Sequence, residues 1–334
     1  MTAEGSELHI GVDIGGTKTD AVVIDHRGAM LQQLRLTTGY GPDAVVQTAV
    51  DAVTQVAELV GMTVAAAASI GIGVPGRVEV TAGRVAHAVN LGVHGLDLGA
   101  ELTARFGRPV HIENDVNAAA LGAYHLLEDE GWTPGGEGGW PAELEHSMAY
   151  LNLGTGLAAG IVVAGRLWRG SRGTAGEIGH IPVDPAGPLC PCGQRGCLEL
   201  MASGSAISRQ WPSEHPQPAQ ALFEAADSGE TLAREVRSRL LESVASAVRV
   251  LVLTVDVDVV VIGGGIASLG APLLDGVKSV LARRAEESPF LASLELADRV
   301  RLVPTGFPSA AMGAAFVGAA SGSTASADGT ARVA

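Results

Sequence analysis

The sequence predicts a two-domain α/β protein. Three observations carry that prediction. The chain has 334 residues, about twice the usual single-domain length. Apolar segments of strand length alternate with segments of helical spacing. A glycine-punctuated strand pair near the N-terminus returns in mid-chain.

Residues 8–25 read as an apolar strand, a glycine-rich turn and a second strand, Ala21-Val22-Val23-Ile24-Asp25. Residues 26–29 supply a turn and Leu31-Gln32-Gln33-Leu34-Arg35-Leu36 a further strand, so the chain opens on a β-hairpin and not on a strand followed by a helix. Residues 42–60 carry apolar side chains at helical spacing, and the segment from Ser69 is a short buried strand running into a turn. Residues 98–106 look helical, residues 110–114 form a strand, and a helix opens at Asp115. Residues 128–145, rich in Gly, Trp, Pro and Glu, read as a surface loop.

From Met148 a second glycine-punctuated hairpin repeats the logic of the first. A cysteine-bearing loop, helical stretches over 222–253, a strand ending in Gly263-Gly264-Gly265 and a closing helix near 310–320 complete the pattern. The domain expectation is therefore a small domain of residues 1–116 completed by 308–320, a large domain of 117–307, and a tail from 321 to 334 without fixed structure.

Composition removes several function classes. Hydrophobic residues make up 47% and charged residues 17%, which excludes a disordered chain. The most apolar run, 248–267, contains Asp256, Asp258 and three consecutive glycines, so it fails as a membrane span. The first residues lack a basic region followed by an apolar stretch, which points to the cytoplasm. With a net charge of −14 and no Lys/Arg cluster, neither nucleic acid nor an anionic membrane is an expected partner.

The first chemical constellation is Asp13-Ile14-Gly15-Gly16-Thr17-Lys18. Its paired glycines let backbone amides approach a phosphate, and Thr17 and Lys18 add donors and charge. A plain hairpin turn is the competing reading, because the order is not that of a P-loop and a strand follows. The turn Gly154-Thr155-Gly156 offers a second phosphate grip of the same kind. Gly76, after the strand from Ser69, lines either a small-molecule site or an ordinary tight turn.

The strongest local signal is His180 with Cys190, Cys192 and Cys197, the three cysteines of the chain. One imidazole and three thiolates make a closed tetrahedral shell that suits a structural Zn2+, and Gly193 and Gly196 permit the reversal between the sulfurs. Neighbouring Glu177, His180 and Glu199 are candidates to face a polyhydroxylated ligand. Asp115, after Asn114 at a helix start, reads either as an N-cap or as a base that takes a hydroxyl proton during phosphoryl transfer.

Taken in order, Asp13 to Thr19, Gly73 to Val78, Ile112 to Ala123, Leu151 to Gly156, Gly173 to His180, Cys190 to Glu199 and Val260 to Ala267 resemble the ROK family of bacterial sugar kinases and sugar-responsive regulators. The resemblance implies an actin-like, ribonuclease-H-like fold with two domains around an active-site cleft, ATP and Mg2+ as cofactors, and a homodimer. It implies Asp115 as the catalytic base, and Gly76, Asn90, Asn114, Asp115, Glu177, His180 and Glu199 as sugar contacts. It implies Asp13, Gly15, Gly16, Thr17, Lys18, Gly154, Thr155, Gly156, Gly264 and Gly265 as nucleotide or magnesium contacts.

Two departures bear on specificity. The second glycine loop reads Gly154 to Gly160 with alanines at 158 and 159, and Asn90 is followed by Leu91-Gly92-Val93-His94-Gly95 where the family has a Pro-Gly-Trp signature. The expected activity is transfer of the ATP γ-phosphate to the 6-hydroxyl of a hexose, glucose first, with N-acetylglucosamine or N-acetylmannosamine as the alternative acceptor. A sugar-sensing regulator is the reading from another class. The dozen residues before Asp13 are too few for a DNA-reading module of the kind such regulators carry.

Overall fold

The computed structural model describes residues 7–131 and 146–327, with no side-chain description for 321–327. The chain divides into two compact units, one of residues 1–131 and 308–334, the other of residues 132–307. Among the described residues, no helix is long and apolar enough to cross a membrane.

The first unit is built on a five-stranded sheet in the order β3-β2-β1-β4-β8. Strands β1 (His9–Ile14), β2 (Lys18–Ile24) and β3 (Met30–Thr37) form an antiparallel meander. Strands β4 (Ser69–Val74) and β8 (Val110–Asn114) extend it in parallel from β1. Every residue of β4 is buried, as expected of a strand covered on both faces. Helix α1 (Pro42–Leu59) buries Val45, Val46, Ala49, Val53 and Val56, a 3.6-residue stripe that covers one face.

A separate antiparallel sheet, β5 (Arg77–Glu79), β6 (Arg84–Ala88) and β7 (Val93–Leu96), fills the span between β4 and helix α2 (Leu98–Phe106). Helix α3 (Asp115–Asp129) follows β8 directly.

The second unit repeats the plan. Its sheet runs β11-β10-β9-β12-β13, with β9 (Ser147–Leu153), β10 (Leu157–Val163) and β11 (Arg166–Leu167) antiparallel, and with β12 (Val259–Gly263) and β13 (Val300–Leu302) parallel to β9. Helices α4 (Gly204–Gln210), α5 (Pro218–Asp227), α6 (Thr231–Val255), α7 (Ala271–Glu286) and α8 (Pro289–Ala292) complete it. The expected likeness of the two halves thus takes the form of one shared strand order.

The last helix, α9 (Ser309–Ala327), belongs to the first unit. It packs on α3, β1 and β4 through glycines that admit no side chain. A Cβ at Gly71 of β4 would lie 1.8 Å from the carbonyl oxygen of Ala314, one at Gly11 of β1 2.0 Å from that of Ala311, and one at Gly313 1.6 Å from that of Ala118. These are backbone-on-backbone contacts.

Two boundary expectations change as a result. The first unit ends after Gly131 and not after 116, because α3 is fastened to α9. The tail expected to lack structure from 321 continues as helix to Ala327. Residues 328–334 lie outside the described residues, as does 132–145, most of the expected surface loop.

Gly71→Ala and Gly313→Ala should each destabilise the protein by about 1–3 kcal/mol or more, because a methyl group has nowhere to go. Thermal or urea unfolding of each variant would read this, and wild-type midpoints would contradict the close approach of α9.

Candidate functional site

In the first unit the strand-to-helix junction after β8 sets the chemistry. Asn114 is the N-cap of α3, its Oδ1 accepting from the backbone N–H of Val116 at 3.0 Å and of Asn117 at 3.1 Å. The capping role considered for Asp115 therefore falls to Asn114. Asp115 is the first residue of the helix, where the positive end of the dipole favours its charge. Its Oδ1 accepts from the Val116 N–H at 3.0 Å and from Asn114 Nδ2 at 3.1 Å. The same Nδ2 donates to the carbonyl of Gly76 at 3.1 Å, which joins Gly76, Asn114 and Asp115 in one network.

Asp13, near the end of β1, faces this junction across Gly73. A Cβ on Gly73 would stand 3.6 Å from Asp115 Cα and 3.7 Å from Asp13 Oδ1, so the bare glycine keeps the space between the two acids open. Asp13 Oδ1 is sealed from solvent and has no hydrogen-bond partner among the described residues. Burial, then the negative charges of Asp115 and Asp20, hold its carboxyl well above the usual carboxylate range. An orphaned, repelled carboxylate oxygen fits a cation.

The first glycine loop is the β1–β2 turn, closed by the Gly15 N–H on the carbonyl of Lys18 at 3.0 Å. Gly16, Thr17 and Lys18 are exposed there. Asn90, in a 3-10 turn before β7, lies against this loop, its Cβ 3.2 Å from where a Cβ on Gly16 would be.

In the second unit, Gly154-Thr155-Gly156 is the β9–β10 turn, with Thr155 exposed. Glu199 braces it. Its Oε2 accepts from the N–H of Leu157 at 3.0 Å and occupies the place of a side chain at Gly156, 2.5 Å away. Gly264, at φ 83°, leaves only 2.6 Å from its Cβ direction to Asn152 Oδ1 and to the carbonyl of Leu153, so β12 and β9 end side by side. Gly265 stands open beside it.

A cavity of 1090 Å³ opens on these turns, lined among others by Gly154, Thr155, Gly204, Ser205, Gln217 and Gly265.

Ligand atoms of His180, Cys190, Cys192 and Cys197 all lie within 4.8 Å of one another. Cys190 Sγ faces His180 Nδ1 at 3.9 Å and Cys192 Sγ faces Cys197 Sγ at 3.6 Å. The backbone N–H of Gln194 leads the causes that pull the Cys192 thiol down to about 6, so a ready thiolate stands on the exposed side. Three sulfurs and one imidazole converging this closely have the donor chemistry of a tetrahedral soft-metal centre. Glu177 and His180 share one 3-10 turn, and the Glu177 carboxylate is exposed.

Two groups of residues escaped the sequence. Glu113 is fully buried, and its Oε1 accepts from the N–H of Asn114 at 3.0 Å and from Asn117 Nδ2 at 3.1 Å. Its place inside a strand of the Asn114–Asp115 junction was the available signal. The cavity wall over 204–227 comes from α4, α5 and the loop between them, and no local motif marks it.

The pattern of the ROK family matches residues 9–317. A glucokinase of Thermotoga maritima is 34% identical over 280 residues, 78% of this chain and 83% of that protein. An N-acetylmannosamine kinase of Vibrio cholerae is 31% identical over 261 residues, 77% of this chain and 83% of that protein. The crystal structure of a ROK family glucokinase from Streptomyces griseus, in complex with glucose and AMPPNP, superposes with a TM-score of 0.73 at 30% identity, covering 94% of this chain and 99% of the other.

The strain at Asp13 gives a testable sign. A carboxyl whose folded pKa is raised loses stabilisation as pH climbs from its unfolded value, near 4, through its higher folded value. Asp13→Asn should therefore raise the thermal midpoint at neutral pH, measured without nucleotide or Mg2+, and the gain should vanish in acid. A variant less stable than wild type at neutral pH would show that the charge is already compensated.

Proposed function

Because the chain belongs to the ROK family, with the actin-like ATPase fold of its sugar kinases, we propose that it catalyses ATP-dependent phosphorylation of the 6-hydroxyl of a hexose, glucose foremost. The observation that carries this reading is Asp115 on the first turn of α3, one oxygen held by the Val116 N–H and by Asn114 Nδ2. A carboxylate fixed in that way, on a chain 34% identical to a glucokinase, suits a general base for a sugar hydroxyl.

In the reaction, Asp115 accepts the hydroxyl proton as that oxygen attacks the γ-phosphorus, and the ADP oxygen leaves in line. Gly76, Asn90, Asn114, Glu177, His180 and Glu199 are the residues assigned to the sugar hydroxyls. The nucleoside occupies the 1090 Å³ cavity, with its phosphates on the amides of Gly154, Thr155 and Gly156 and beside Gly264 and Gly265. Gly15, Gly16, Thr17 and Lys18 add amides and charge from the first hairpin.

Asp13 would hold Mg2+, which when bound would supply positive charge towards the transferred phosphoryl group. Zn2+ would be held by His180, Cys190, Cys192 and Cys197 in a closed shell that braces a loop and activates no water. With Nδ1 turned to Cys190, His180 keeps Nε2 for the sugar. The same reading carries a homodimer in the cytoplasm.

A second acceptor class has its own support, the 31% identity to an N-acetylmannosamine kinase. The chain's departure after Asn90, Leu91-Gly92-Val93-His94-Gly95, falls where the wall around the ring substituents is set.

ADP release with Mg-ATP, measured across glucose, mannose, N-acetylglucosamine and N-acetylmannosamine, should show one preferred sugar. Asp115→Asn should lower its turnover by about 10²–10⁴-fold. Comparable turnover in wild type and variant would remove Asp115 from the chemistry, and turnover only on an N-acetylated sugar would replace glucose.

Metal analysis of gently purified protein should give one zinc per chain, and Cys197→Ser should lose it with a lowered thermal midpoint. A ratio near zero in active wild-type protein would refute the zinc site.

A further inference from the structure

Strands β6 and β7 set His87 opposite His94. Val85, Ala88, Val93 and Leu96 are buried, while both imidazoles are exposed. The Nδ1 atoms are 2.9 Å apart, and the ring centroids 4.6 Å apart with planes inclined by 54°.

A head-on N–H···N bond would hold the axes of the two nitrogens in line, which puts the centroids roughly 5.2 Å apart for that separation. The observed spacing is shorter, so the axes are bent off that line. Two imidazole nitrogens bound at about 2.0–2.1 Å to one ion, at a right angle, stand about 2.9 Å apart with centroids about 4.5 Å apart. Both measured distances match this second arrangement.

We propose that His87 and His94 form a surface chelate for a borderline divalent transition-metal ion of the Ni2+ or Cu2+ class, separate from the thiolate cluster. The register of the strands supplies the pre-organisation, since the rings already stand at the chelating distance and little ordering remains on binding. Their neighbours set the class of ion. The cation Arg77 is the strand partner of His87 on its other side, and the nearby Asp97 is engaged by Arg84 at 3.3 Å.

Among the described residues, no third His, Cys, Asp or Glu joins the pair closely enough to complete a protein-only site. Water therefore fills the other positions, and oxygen-seeking Mg2+ and Ca2+ gain nothing here. Affinity rises along the order that peaks at Cu2+. The site borders the proposed sugar contacts, because the carbonyl of His87 stands 2.1 Å from where a Cβ on Gly76 would be.

Calorimetric titration of zinc-loaded, untagged protein with Ni2+, which leaves thiols unoxidised, tests the chelate independently of any turnover. The expected result is one Ni2+ per chain beyond the zinc, with paramagnetic broadening of the His87 and His94 ring resonances. His87→Ala and His94→Gln should each weaken that binding by about 10²-fold, the loss of the second arm of a chelate, while thermal midpoints and zinc content stay at wild-type values. Absence of Ni2+ uptake by wild-type protein, or uptake that both variants retain, would overturn the proposal.

Discussion

The first unit depends on one contact between backbones. Helix α9 lies so close to β1, β4 and α3 that Gly11, Gly71, Gly122 and Gly313 each place a missing Cβ within 2.0 Å of a carbonyl oxygen on the neighbouring element. Such packing trades side-chain volume for proximity, and interiors at crystalline density give no slack for an added methyl. The consequence reaches the site directly. Helix α3 carries Asp115 at its start and is fastened to α9 along its length, so the C-terminal end of the chain fixes the helix that positions an acid near residue 115.

On that frame Asp115 and Asp13 meet different surroundings. Asp115 sits at a helix N-terminus with a backbone N–H and an amide donating to it. Asp13 is half-buried, its Oδ1 sealed and unpartnered, with Asp115 and Asp20 repelling it. Gly73 keeps the space between them clear. The arrangement makes a charge at Asp13 unfavourable, at the position where the proposed reading puts a cation.

The second unit solves a different problem. The segment from Thr174 to Glu199 has almost no regular structure, yet it must hold Glu177, His180 and Glu199 in place. Backbone hydrogen bonds such as Leu198 N–H to Ile181 at 3.0 Å and Cys190 N–H to Gln194 at 2.7 Å fold it back on itself, and the sulfur-imidazole cluster ties its two ends. Glu199 then reaches from this loop to the Gly154–Gly156 turn, which links the loop to the mouth of the cavity.

Much of this was legible in the residues, and the legible part is local. The glycine turns after β1 and β9, the strand-to-helix junction at Asn114 and Asp115, and the cysteine spacing all act over a few residues, where backbone freedom and ligand reach decide the outcome. The order of the motifs identified the family and hence the fold. The sequence did not show which residue of the junction caps α3, that Asp13 Oδ1 is orphaned, that Glu113 is buried beneath the junction, or that α4 and α5 wall a cavity.

Nor did it show that α3 and α9 belong together across nearly two hundred residues, or that His87 and His94 meet ring to ring. Those facts depend on which backbones approach and in what register, and they are settled by the packing of distant segments. What the sequence determined by itself was the set of chemical groups and the short turns that present them. Tertiary structure decided which groups are buried, paired or left facing one another, because burial and close approach are properties of the assembled sheets and helices and not of any single segment.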